Sequence, residues 1–319
     1  MVSTVRLGQD KFTYEVAVGW EKPPPGYSWR EVADVTVDSK DRVYVLNRGG
    51  EHPMIVFDSD GNFLRSWGEG VFSHRPHSVT PGPDDTMYCA DDGDHTVRQF
   101  TLDGKVLMTI GVPGKPAERY SGPPFNGCTD VAIDPKTGDL YISDGYGNAS
   151  IHKFSPDGKL LFSWGAPGTD PGEFNLPHNI ITDKDGYVYV ADRESHRVQI
   201  FDSNGKFQTQ WNNLHRPCGL GITPEQHVYI GELGAGTPVN RYLPGIGPRI
   251  TVMNTSGKRL ARIGDKGSGL EVGQFVAPHG IGLDSQGNIY VAEVAWTAIH
   301  HFEEPSEPVR SLQKLVKVI

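Results

Sequence analysis

The segment Gly280-Ile-Gly-Leu-Asp-Ser-Gln-Gly-Asn-Ile-Tyr-Val-Ala-Glu293 reads as two short apolar strands around a polar turn, the second ending in an acid. The same pattern recurs at Asn179-Ile-Ile-Thr-Asp-Lys-Asp-Gly-Tyr-Val-Tyr-Val-Ala-Asp192 and at Val35-Thr-Val-Asp-Ser-Lys-Asp-Arg-Val-Tyr-Val-Leu-Asn47. After each unit but the last comes a third strand, a glycine hairpin and a fourth strand. The hairpins are Asp60-Gly61, Asp103-Gly104, Asp157-Gly158, Asn204-Gly205 and Ser256-Gly257. Such dipeptides supply the positive φ that a tight hairpin needs. Successive hairpin glycines are 43, 54, 47 and 52 residues apart, the length of a four-stranded propeller blade.

Five blades carry the hairpin. A sixth starts at Pro278 and shows three strands ending near Phe302; the N-terminal segment Thr13 to Trp20 supplies its fourth. That segment ends in Trp, as the fourth strands do at Trp67, Trp164 and Trp211. Closing the last blade with the chain's own start removes an exposed sheet edge. The expectation is an all-β, six-bladed β-propeller forming one domain over 1–319. The tail 303–319 receives no role, and helical periodicity is confined to Val309–Ile319.

Composition agrees. The 319 residues hold 39 glycines and 24 prolines, which suits many turns and few long helices. The net charge of −9 argues against a nucleic-acid partner, which needs clustered positive charge. No apolar run approaches the roughly 20 residues of a membrane helix, and Met1 to Trp20 has no apolar core of a signal peptide. Three cysteines, Cys89, Cys128 and Cys218, make no disulfide framework, so a reducing cytoplasm is expected. The sequence is silent on oligomeric state.

Aligning the first strands gives one column of residues: Ala33, His77, Thr129, His178, Cys218 and His279. Histidine occupies blades two, four and six. In a six-bladed ring these lie about 120° apart, and first strands line the channel. Three imidazoles converging there make an open metal site, the arrangement of catalytic zinc; iron or cobalt would suit the same nitrogens. The competing reading is that a histidine at a strand start is a satisfied loop residue, but alternation in one column is not what scattered histidines do. A second column holds Asn47, Asp91, Asp144, Asp192, Glu232 and Glu293, 14 residues after the first in every blade except the third, where it is 15. Its regularity points to turn capping through backbone N–H groups.

Just past the second column the repeat breaks, at Arg48, Gly145-Tyr146 and Arg193. The first strand starts and the second ends on one face, so these residues share a rim with the histidines. The most variable loops, Val112 to Gly127, Leu233 to Arg249 and Asp265 to Ala277, are on that face too. A surface ion pair is the plain alternative for either arginine.

These residues carry a resemblance. The blades resemble NHL repeats, and the chain from about Val32 to Phe302 resembles the peptidyl-α-hydroxyglycine α-amidating lyases. The segments are Asn47-Arg48-Gly49, Arg75-Pro-His77-Ser78, Ser143-Asp-Gly-Tyr146, Leu176-Pro-His178 with Ala191-Asp-Arg193, and Pro278-His279-Gly280, in the family's order. The resemblance implies zinc on His77, His178 and His279, Tyr146 as the base, and Arg48 and Arg193 as the residues that hold and polarise substrate. It also implies a calcium held by the backbone of Val35 and Val79 with an Asp after the third histidine. Gly280 stands at that position, which weakens the calcium site. Ala277 stands where the family has a substrate-lining methionine. Gly147 stands where a cysteine would pair with the one matching Cys128.

The implied reaction splits a carbinolamide that carries a carboxylate, peptide or small metabolite, into a primary amide and an aldehyde such as glyoxylate. An ordinary phenol titrates near 10, so Tyr146 needs nearby positive charge to act as a base. A planar guanidinium fork suits the carboxylate. Two other classes compete: a zinc-dependent hydrolase acting on a lactone, ester or amide, and a non-enzymatic NHL scaffold.

Overall fold

The computed structural model describes residues 5–123, 125–241, 243–264, 267–306 and 308–318. Met1, Ile319 and Asp265, at the limits of the expected domain and of the third rim loop, lie outside them. Six antiparallel sheets of blade type follow one another along the chain, an all-β six-bladed β-propeller. Their first strands are Glu31–Val37, Pro76–Gly82, Cys128–Ile133, Pro177–Thr182, Pro217–Ile222 and Pro278–Leu283. Two compact units divide the chain. Residues 67–220 hold blades two to four; residues 1–66 with 221–319 hold blades six and one and most of blade five.

In the 67–220 unit, neighbouring blades bury apolar faces against each other. Tyr88, Ala90 and Val97 of blade two meet Val131, Ile142 and Phe154 of blade three. Ala132 and Ile151 of blade three meet Ile180, Val190 and Phe201 of blade four. The first strand of blade three lies beside those of blades two and four. Removing this apolar surface from water is the main favourable term holding the blades. The hairpin glycines have a second duty here. Gly205 has φ +74°, and a Cβ on it would come within 2.8 Å of the Trp164 indole, which ends the preceding blade. The repeated Trp and the repeated Gly are therefore one packing unit.

In the other unit the N-terminal strand Phe12–Ala17 closes blade six, as expected. Two details differ from expectation. The third strand is Leu312–Lys317, so the tail forms a strand where helical periodicity was read. The segment taken as third strand is instead a short helix, α1 (Ala295–His300). Residues 312–317 alternate less cleanly than the repeat strands because the strand pairs on both sides and is buried over Leu312–Leu315. An extra strand, Arg6–Gln9, then adds to the edge.

All three cysteines are free and buried. Four members of the second column cap turns as expected, whereas Asn47 gives its Nδ2 to the His52 and Pro53 carbonyls and Glu232 takes the Arg249 and Thr251 side chains. Asp91 accepts Ser73 N–H, Asp144 accepts Asn126 N–H, Asp192 accepts Asn175 and Leu176 N–H, and Glu293 accepts Val276 and Ala277 N–H. No helix among the described residues is long and apolar enough to cross a membrane.

Candidate metal and substrate site

Five of the six column residues sit at a break in strand register. In blades one, two, three and six the register of the first strand against the second shifts at Ala33, His77, Thr129 and His279. In blade four the shift spans His178 and Asn179. A bulge leaves its extra residue outside the ladder and re-aims its side chain. Both properties are used here, as the two units show in turn.

In the 67–220 unit, His77 is fully buried and its Nδ1 lies 2.6 Å from the Thr129 carbonyl oxygen. A carbonyl only accepts, so Nδ1 carries the proton and Nε2 the lone pair. That Nε2 is 3.1 Å from the Tyr146 hydroxyl. His178, also fully buried, has Nδ1 2.6 Å from Asn179 Oδ1 and Nε2 3.3 Å from the same hydroxyl. The two imidazole rings are 4.7 Å apart. Two imidazole lone pairs and a phenol oxygen facing one another form a donor set that suits a cation.

Tyr146 stands just past the second strand of blade three, between two glycines. A Cβ on Gly147 would collide with Asn126, and Gly127, at φ +82°, lets the Tyr146 Cβ approach closely. Arg193 follows the second strand of blade four and directs Nη1 to within 3.4 Å of the Tyr146 hydroxyl. Its Nε bonds Glu194, which also takes two bonds from Arg216. Burial opposes the charge on Arg193, but the groups around it, Tyr146, Cys218 and Glu194, outweigh that and raise its pKa. Burial would likewise raise Glu194, yet Arg216 and Arg193 bring it down to about 2. A second guanidinium, from Arg75, lies 5.5 Å from the Tyr146 ring centre and is held by Asp92. Cys218, the column member of blade five, rests 3.3 Å from His178 Nδ1, and burial pushes its thiol up to about 12.

In the other unit, His279 is buried with Nδ1 2.6 Å from the Ala33 carbonyl, repeating the support of His77. Arg48 ends its second strand directly opposite Glu31 in the ladder, and the two charges are 3.5 Å apart and buried. Glu31 also accepts the Thr297 N–H and hydroxyl from α1, each at 2.9 Å. Beside His279, the space a side chain on Gly280 would need is taken by the Asp34 carboxylate. Val35 and Val79 lie in the regular part of their strands, past the bulges.

Sequence reasoning missed Arg75, Asn179, Glu194 and Glu31. Arg75 and Asn179 flank the histidines in the quoted segments, and Glu194 adjoins Arg193. Nothing in the sequence marks Glu31 as the partner of α1.

The family of NHL repeats matches residues 125–154 and 174–201. The human NHL repeat-containing protein 3 is 31% identical over 304 residues, covering 89% of this chain and 82% of that protein. The chain belongs to the NHL repeat-containing protein 3 family. This NHL-repeat protein is also 32% identical over 268 residues to peptidyl-alpha-hydroxyglycine alpha-amidating lyase 1 of Drosophila melanogaster, covering 76% of this chain and 47% of the fly protein. Among solved structures, virginiamycin B lyase from Staphylococcus aureus shares the fold, with a TM-score of 0.56 at 14% identity over 87% of this chain and 81% of the other.

Proposed function

We propose that this NHL-repeat protein is a zinc-dependent lyase that cleaves the C–N bond of an N-acyl-α-hydroxyglycine-type carbinolamide to a primary amide and glyoxylate or a related aldehyde. The observation that carries the reading is the Tyr146 hydroxyl, within 3.1–3.4 Å of His77 Nε2, His178 Nε2 and Arg193 Nη1. Similarity to amidating lyases at about 30% identity supports the same chemistry.

His77, His178 and His279 would hold the ion. The fit rests on their shared chemistry: all three are buried, and each has Nδ1 placed against an oxygen acceptor, which leaves Nε2 as the ligating nitrogen. Zinc on such a site supplies Lewis acidity to an alcohol oxygen. Tyr146 takes the proton of the substrate hydroxyl. As the C=O forms, the C–N electrons pass to the amide nitrogen, which receives that proton. One hydroxyl proton is lost, one N–H is gained, and no redox partner is needed. Arg193 and Arg48 hold the substrate carboxylate. Calcium at the backbone of Val35 and Val79 is the weaker part of the proposal, because residue 280 brings no carboxylate. A reducing cytoplasm remains the proposed compartment.

The test is metal per chain in protein purified without added zinc, with turnover of an N-acyl-α-hydroxyglycine. We expect about one zinc in the wild type and its loss in His178→Ala. Tyr146→Phe should keep the metal and lose roughly 10²-fold or more in turnover. Retained zinc with hydrolysis of a lactone or ester, and no amide product, would favour the hydrolase. A metal-free wild type would favour the scaffold reading, which accords with a relative named only for its repeats.

A further inference from the structure

The three histidines share a residue type but not a support. His77 and His279 each give Nδ1–H to the backbone carbonyl of a bulge residue, Thr129 or Ala33. A carbonyl fixed in a strand cannot exchange acceptor for donor. His178 instead meets a side-chain amide, Asn179 Oδ1. A primary amide has an acceptor end and a donor end of nearly the same shape. Turned over, Asn179 would offer N–H to Nδ1 and move the imidazole proton to Nε2, the nitrogen a metal needs. The Cys218 thiol, 3.3 Å from the same Nδ1, can donate or accept weakly and does not set the tautomer.

What prevents the turn is Asp130. Asn179 Nδ2 donates to Asp130 Oδ2 at 3.1 Å; burial pushes the Asp130 carboxyl up to about 6, so above that pH it is ionised and only accepts. The carboxylate is itself held by Val131 N–H on Oδ1 (2.8 Å) and Ile180 N–H on Oδ2 (3.1 Å). The wider irregularity of blade four takes Asn179 out of the ladder together with His178. We infer that Asp130 is a positioning residue for the metal centre: through Asn179 it fixes the proton of His178 on Nδ1 and keeps Nε2 ready to ligate. The inference rests on the metal reading above.

The experiment uses zinc alone as the probe, with affinities from competition against a chromophoric chelator. The wild type should bind one zinc, and Asp130→Asn should bind it about 10–100-fold more weakly, as loss of an outer-shell partner usually costs. The double variant Asp130→Asn with Asn179→Asp places a carboxylate on His178 Nδ1 and an amide behind it, and should recover most of the affinity. Equal affinity in wild type and Asp130→Asn overturns the inference and leaves the metal reading standing. So does a loss that the double variant fails to rescue. A wild type that binds no zinc overturns both. Should Asp130→Asn not fold, nitrogen chemical shifts of the metal-free wild type decide: His178 protonated on Nδ1 is the expected result, and protonation on Nε2 overturns it.

Discussion

Arg48 and Arg193 occupy the same place in their blades, one residue past the second-column position, and each is tied to a carboxylate, yet the two ties differ in kind. In one unit Glu31 is fully buried, faces Arg48 across the ladder and also anchors α1. In the other, Glu194 is partly exposed, adjoins Arg193 in sequence and is shared with Arg216. A buried pair stabilises only while both partners are present, because removing one strands an uncompensated charge. A partly exposed pair adds little stability and mainly restricts side-chain orientation. The same repeat position is thus structural in one unit, and mainly orienting in the other.

The sharpest way to break this comparison is to truncate both arginines. Arg48→Ala should cost about 3–5 kcal/mol in denaturant unfolding, since it leaves Glu31 buried and unpaired. Arg193→Ala should cost about 1 kcal/mol or less, while losing turnover in the lyase assay. Equal losses of stability in the two variants would sink the distinction. A smaller effect is expected for Glu194→Gln, which leaves Arg193 charged but loosely aimed. KM for a carboxylate substrate should rise several-fold with kcat less affected, because carboxylate holding is ground-state binding. A further effect is expected in acid. Glu194 has a folded pKa of about 2 against 4.5 unpaired, so its contribution is present above pH 4.5 and is lost as pH falls towards 2. Wild type and Glu194→Gln should therefore differ in stability by a constant amount above pH 4.5 and converge only below it.

Much of the site was legible in advance. The blade period, the glycine hairpins and the first column follow from local chemistry: turn residues demand particular φ values, and strand alternation assigns faces. What stayed hidden were partners distant in sequence. Glu31 and Thr297 are 266 residues apart, and no local pattern announces that a carboxylate in blade one accepts from a helix in blade six. The tail failed for a related reason. Leu312–Lys317 lacks the turn and hairpin signals of the other strands, because its partners come from the two ends of the chain.

The sequence alone determined that six similar units exist and that histidine recurs in every second one, since repetition and turn chemistry are written in nearest neighbours. Only the tertiary structure decided which partner each imidazole meets and how it is aimed. That depends on a strand bulge, a carbonyl from the adjoining blade and the orientation of one amide, and these exist only after the blades have packed.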